Sequence, residues 1–223
     1  MDRYDEIVRK LAELRKFDSK LLIWGAKKHG HSMYARLRKD EIERYEQEFE
    51  IVLPREYTEL LCRVGGGGAG PGVGLYPLNK SIQIYETLCK RCRNPPDSHV
   101  PYVEPSLAIA FPVEMDLASA ICRALNQPVE SGGIYARRYR PKLSMPDTSN
   151  GLLEISNSGC STEYLVVTGP MHGHVFHLCD AGYWIPACHD DRPITFLDWY
   201  EGWLDCHLDL DYYNGWVLRQ WFD

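Results

Sequence analysis

The stretch Leu152-Leu-Glu-Ile-Ser-Asn-Ser-Gly-Cys-Ser-Thr-Glu-Tyr-Leu-Val-Val-Thr-Gly-Pro-Met-His-Gly-His-Val-Phe-His-Leu178 reads as three strands in close succession. Leu152-Leu-Glu-Ile155 and Tyr164-Leu-Val-Val-Thr168 are largely apolar runs of strand length, and Ser156 to Ser161 between them has turn composition. Gly169-Pro170 breaks the chain before a third run, Val175 to Leu178. Strands joined by such short connections pair antiparallel, because a parallel return needs a long crossover.

Outward from this sheet the grammar is helical. Thr195 is placed to cap a helix running through Trp199, Tyr200, Trp203 and Leu204, with Asp198 at its third position. On the N-terminal side, Ile7, Leu11 and Leu14 share a helical face over residues 4–17. Ile42, Tyr45 and Phe49 do the same over 38–50. Pro54 suits the first turn of a helix carrying Tyr57, Leu60, Leu61 and Val64 inward, and the run Gly65 to Gly68 stops it. Lys27 to Ser32 reads as a loop. Between the helices and the sheet, Gly74 to Leu78 reads as a short strand, and Ile82 to Leu88 as a strand or a helical turn. Residues 89–106 hold four prolines and read as a loop-rich insertion, followed by a buried strand at Leu107 to Phe111 and a helix over 114–125. Ile134 to Lys142 reads as exposed and basic. The class is α+β, in one domain.

Composition narrows the function. Hydrophobic residues make up 44% and charged residues 25% of 223, the balance of a globular chain. The longest apolar run, Leu107 to Phe111, is far too short to cross a bilayer. The opening Met1-Asp-Arg-Tyr-Asp-Glu6 has no apolar h-region behind it, so a soluble cytoplasmic chain with eight reduced cysteines is expected. Charge is uneven. From Asp180 to Asp223 nine acids face two bases, so that segment carries −7 where the whole chain carries −6, leaving +1 elsewhere. Such a tail repels a phosphate backbone and attracts a basic protein.

Four motifs invite a chemical reading. Gly65-x-Gly67-x-x-Gly70 matches the dinucleotide pattern, but a helix precedes it and a strand follows, the reverse of the required order. Cys89-Lys-Arg-Cys92 lacks the second pair that a zinc ribbon needs, and its flanks read as loop. His172, His174, His177 and Cys179 crowd one segment, yet alternation along a strand sends His177 and Cys179 away from His174. Cys160 lies in a tight turn with no histidine placed beside it as a base. No catalytic, metal or cofactor-binding residue is assigned, and no cofactor is expected.

Several blocks are familiar. Ile42-Glu-Arg-Tyr-Glu46, Leu53-Pro54-x-x-Tyr57, Leu60-Leu61, Gly65-Gly66-Gly67, Gly70-Pro71 and Gly74-Leu75 resemble the opening of the SUKH superfamily. That group holds bacterial immunity proteins and the yeast cell-wall-assembly regulator. Ile155-Ser-Asn-Ser-Gly-Cys160, Tyr164-Leu-Val-Val-Thr-Gly-Pro170 and Phe196-Leu-Asp-Trp-Tyr-Glu-Gly-Trp-Leu204 resemble its later blocks, in order. Val64 and Ser161 depart from the pattern, standing where the family often has Asn and Gly. The resemblance implies a curved, mainly antiparallel sheet flanked by helices, and no catalytic residues. The expected organisation is an N-terminal helix and lead-in at 1–37, a SUKH-like domain at 38–206 with an insertion at about 80–145, and a packed tail at 207–223.

The function so implied is an immunity protein that neutralises a cognate toxin, of nuclease type and basic. A regulatory scaffold of the cell-wall-assembly type and a thiol or zinc enzyme are the alternatives. The expected partner is that protein toxin, with no nucleic acid and no membrane, and the chain a monomer or weak homodimer. The expected contact surface is Asp190, Asp191, Glu201, Asp205, Asp209 and Asp211, with Trp203, Tyr212, Tyr213 and Trp216 as aromatic anchors. One narrow helical stripe cannot bury Trp199, Tyr200 and Trp203 together, so some of these rings are expected at the surface.

Overall fold

A computed structural model describes residues 2–93, 104–126, 150–179, 182 and 184–208. Its centre is the antiparallel sheet expected from the strand-rich stretch, with one strand more. Strands β1 (Leu152–Asn157), β2 (Ser161–Val166), β3 (Val175–Cys179) and β4 (Trp184–Pro186) lie side by side in chain order. A small hairpin follows, β5 (Cys188–His189) and β6 (Arg192–Pro193). A bulge between Glu154 and Ser156 bends β1. Ser156 Oγ there donates to the carbonyls of Pro71 (2.8 Å) and Gly74 (3.0 Å).

Alternation along the strands serves two cores. Leu153, Ile155, Leu165 and Val175 face a large cluster shared with the helices. Leu152, Val166, Phe176 and Trp184 face a smaller one with Phe111, Val113 and Ala118. Phe111 and Phe176 meet edge to face at 5.0 Å there.

The helices are α1 (Arg3–Phe17), α2 (Ala26–His29), α3 (Lys39–Phe49), α4 (Arg55–Arg63), α5 (Leu78–Arg93), α6 (Met115–Asn126) and α7 (Phe196–Leu208). Helix α1 buries Ile7, Leu11 and Leu14 and packs on α7. Pro54 is the N-cap of α4, which buries Tyr57, Leu60 and Leu61. The glycine run after α4 does more than end a helix. It is buried, and it passes between two extended segments: Tyr34 N–H donates to Gly67 O, and Gly68 N–H donates to Leu75 O (2.8 Å each). A Cβ on Gly68 would stand 2.4 Å from Ser32 O, at a φ of +114°. Only glycine fits that crossing.

Several expectations are corrected. Leu107 to Phe111 is buried at both ends but is not a strand. Phe111 N–H bonds to Thr168 O, so the chain crosses the sheet end, and Pro112 has no N–H to extend a ladder. Ile82 to Leu88 belongs to α5, because Leu78, Ile82 and Cys89 recur at helical spacing and are buried. Cys89-x-x-Cys92 is therefore on a helix rather than in a loop, with Cys89 Sγ donating to Pro105 O. Gly74 to Leu78 makes only an isolated bridge, Gly68 to Leu75, before α5 begins. The stretch expected as a loop, Lys27 to Ser32, begins inside the short helix α2, Ala26–His29. Ile134 to Lys142 lies outside the described residues.

The cap of α7 is also not the one expected. Thr195 Oγ1 is buried without a hydrogen-bond partner among the described residues. Leu197 N–H is met instead by the Glu56 carboxylate of α4 (3.0 Å). A negative group from a neighbouring helix thus satisfies one orphan amide and opposes the positive end of the helix dipole.

The expectation of eight free thiols fails at Cys122 and Cys188. They form a disulfide, Cα–Cα 5.7 Å, which ties α6 to β5. Helix α6 roofs the smaller core, so the bridge closes that layer on the sheet. Reduction, or Cys122→Ala with Cys188→Ala, is expected to remove about 2–4 kcal/mol of stability. Thermal melts with and without dithiothreitol check this. A double variant that melts like the parent, with no response to reductant in either, refutes it.

Candidate functional site: an acidic groove beside the third helix

Helix α3 places Glu43, Glu46 and its C-cap Glu50 three and four residues apart, on one face. Glu50 is held in the left-handed region, φ 54°, and turns the chain into Ile51-Val52. Across from it lies the turn between β2 and β3, Val167 to His172. His172 Nε2 hydrogen-bonds Val52 O (2.9 Å), and Glu46 accepts from Leu53 N–H (2.7 Å), fixing both walls. The space between is an open groove of about 570 Å³. A second recess of about 170 Å³ adjoins it between α3 and α4, lined by Glu43, Glu46, Glu59 and Cys62 and by one cation, Lys39.

Four carboxylates therefore line one trough. Glu43, Glu46 and Glu50 form no ion pair with any described residue, and Glu59 meets Arg63 at 4.0 Å. Val52, 71% exposed, stands at the rim. Four carboxylates against Lys39 and the distant Arg63 leave a negative excess, which suits a cationic chain from a protein partner, with long-range attraction setting the encounter rate. Among the described residues no His, Cys, Asp and Glu group could hold a metal ion.

The surface expected from sequence is distributed differently. Glu201 pairs with Arg3 (2.6 Å), and Asp205 with Lys10, so α1 neutralises the acidic side of α7 within the chain. Asp198 is likewise held by Arg3 (2.6 Å). Asp190 and Asp191 are exposed at the turn between β5 and β6. Trp203 is only 7% exposed, so it is no surface anchor. Trp199, Tyr200 and Trp203 are all buried because α7 is wrapped by α1, α4 and the segment around His29, rather than lying on a single stripe. Asp209, Asp211, Tyr212, Tyr213 and Trp216 lie outside the described residues. The groove glutamates had a signal in the sequence: over 39–50 six acids face Lys39 and Arg44. A helical reading assigns them simply to the solvent face.

A second polar feature lies at the far end of the sheet. The Asp18 carboxylate is buried and accepts from Leu22 N–H (2.7 Å), Ile23 N–H (3.1 Å) and His31 Nε2 (2.8 Å). Burial by itself raises this carboxyl, but the hydrogen bonds outweigh it and hold Asp18 below the usual range. His29 Nδ1 accepts from His31 N–H (3.1 Å), which requires a neutral ring. Burial, with His31 adjacent, pushes His29 down to about 4, and burial does the same to His207.

The unfolded chain takes up protons on these two histidines near 6.5, and the folded chain resists until about 4. Stability should therefore be full above 6.5 and fall as pH drops toward 4. Urea midpoints measured across that range check this. His29→Asn with His207→Asn should flatten the slope.

The sequence model of the SMI1 / KNR4 family (SUKH-1) matches residues 36–198. No curated protein and no solved structure matches the chain. With the expected blocks in order, the antiparallel sheet observed and well over half of its length matched, the chain belongs to the SMI1 / KNR4 (SUKH-1) family.

Proposed function

We propose that this protein is an immunity protein that binds and neutralises a cognate toxin, and that the toxin carries a basic, nuclease-type domain. It acts by binding rather than by catalysis. The observation that carries this reading is the open trough of Glu43, Glu46, Glu50 and Glu59, on a framework whose family includes immunity proteins. A nuclease must attract a phosphate backbone, so its cleft is basic, and an acidic groove competes for that same surface. The acids of α7 contribute less, since α1 already pairs them. Asp190, Asp191 and the tail residues Asp209, Asp211, Tyr212, Tyr213 and Trp216 are proposed as a flanking part of the contact.

The test is association with the product of the open reading frame beside this gene, together with protection of cells expressing that product. Glu43→Lys with Glu50→Lys is expected to slow association roughly tenfold at low salt, with the difference shrinking at high salt. Both residues are exposed, so the fold should survive, as circular dichroism will show. An unchanged association rate at low salt would remove the groove from the contact.

A further inference from the structure

Residues 15–28 carry five bases, Arg15, Lys16, Lys20, Lys27 and Lys28, and one acid, Asp18. All five bases are exposed, whereas Asp18 is turned inward onto the Leu22 and Ile23 amides and His31. The outer surface of this loop therefore shows positive charge alone. The same inward carboxylate sets what the loop displays. Leu21 is held at φ 53°, a left-handed conformation that a bulky residue adopts only under constraint. The chain then projects Leu22 (78% exposed) and Trp24 (58%), and Phe17 (62%) is exposed at the end of α1. The Trp24 ring lies over the turn between β1 and β2, where a Cβ on Gly159 would be 3.3 Å from it. The apolar tip is thus backed by the sheet and held in place.

We propose that this tip docks on the surface of a bilayer containing anionic phospholipid. Leu22, Phe17 and Trp24 enter the interfacial zone, and the surrounding lysines meet the headgroups. Three observations favour a lipid surface over an acidic protein. Four of the five cations are lysines, compact charges that impose no paired geometry on their counter-ion. The one arginine, Arg15, already donates to His31 O (3.0 Å). The apolar groups project outward singly, which suits a receiving medium without a fixed shape, and tryptophan favours the boundary between water and hydrocarbon. No helix among the described residues is long and apolar enough to span a membrane, and surface docking requires none. The turn between β1 and β2 and the turn between β2 and β3 lie at opposite ends of β2, so a docked molecule holds the acidic groove away from the bilayer. The inference does not depend on what the groove binds.

The experiment is co-sedimentation of the full chain with vesicles of phosphatidylcholine alone and of phosphatidylcholine mixed with phosphatidylglycerol. Binding is expected to the mixed vesicles only, and to weaken as salt rises. Each cation near an anionic surface strengthens binding roughly fivefold, so Lys20→Gln with Lys27→Gln should weaken it roughly twenty-five-fold. Leu22→Asp with Trp24→Ser should abolish it, with an unchanged melting temperature as the check on folding. Should that variant not fold, the lysine pair decides the matter. Equal binding to both vesicle types, binding to neither, or retention on immobilised polyglutamate without vesicle binding would each overturn the proposal.

Discussion

Asp18→Ala is expected to destabilise the protein by about 3–5 kcal/mol, the usual consequence of removing one partner from a buried charged network. Three donors lose their acceptor at once: the Leu22 and Ile23 amides and His31 Nε2. The loss is not confined to the loop, because His29 stacks edge-on to His31 (5.3 Å) and to Trp203 (6.3 Å) on α7. Asp18→Asn keeps the shape and part of the hydrogen bonding, so it should be milder. Since Asp18 lies below its ordinary pKa when folded, its contribution is present above about 3.9 and is lost as pH falls through the folded value. Urea denaturation of parent and variants at neutral and acid pH reads both effects. If Asp18→Ala unfolds at the same urea concentration as the parent at neutral pH, the network is not a structural tie.

Tyr200→Ala should cost about 3–5 kcal/mol, in the range for emptying a buried aromatic site. The ring is fully buried, tilted against Phe196 (6.2 Å) and edge-on to Trp203 (5.6 Å). Its hydroxyl donates to Ala69 O (2.7 Å), at the end of the glycine crossing. Tyr200→Phe separates the two contributions: it keeps the packing, leaves one buried carbonyl short of a donor, and should cost about 1 kcal/mol. Chemical denaturation of the pair checks this. Equal losses in both variants would mean that the hydroxyl, not the ring, holds α7 to the crossing.

How much of this was legible in the chain alone depends on the range of the interaction. Strands β1 to β3, helices α1, α3 and α4 and the antiparallel pairing follow from local periodicity and short connections, which are properties of neighbouring residues. The family blocks are local too. Ambiguity began where local signals conflict. Ile82 and Ile84 favour a strand, while the burial of Leu78, Ile82 and Cys89 on one side makes a helix. Charge was harder still. The count of acids in the last segment was correct, but which acids remain available was decided by Arg3 and Lys10, almost two hundred residues away in sequence. The burial of Trp203, the disulfide from Cys122 to Cys188 and the cap that Glu56 places on α7 are of the same kind. Composition and spacing alone determined the α+β class, the three consecutive strands β1 to β3 with the main helices around them, and the acidic surplus of the tail. Tertiary structure decided which carboxylates form a groove and which are neutralised, because pairing depends on distances that exist only once the chain has folded.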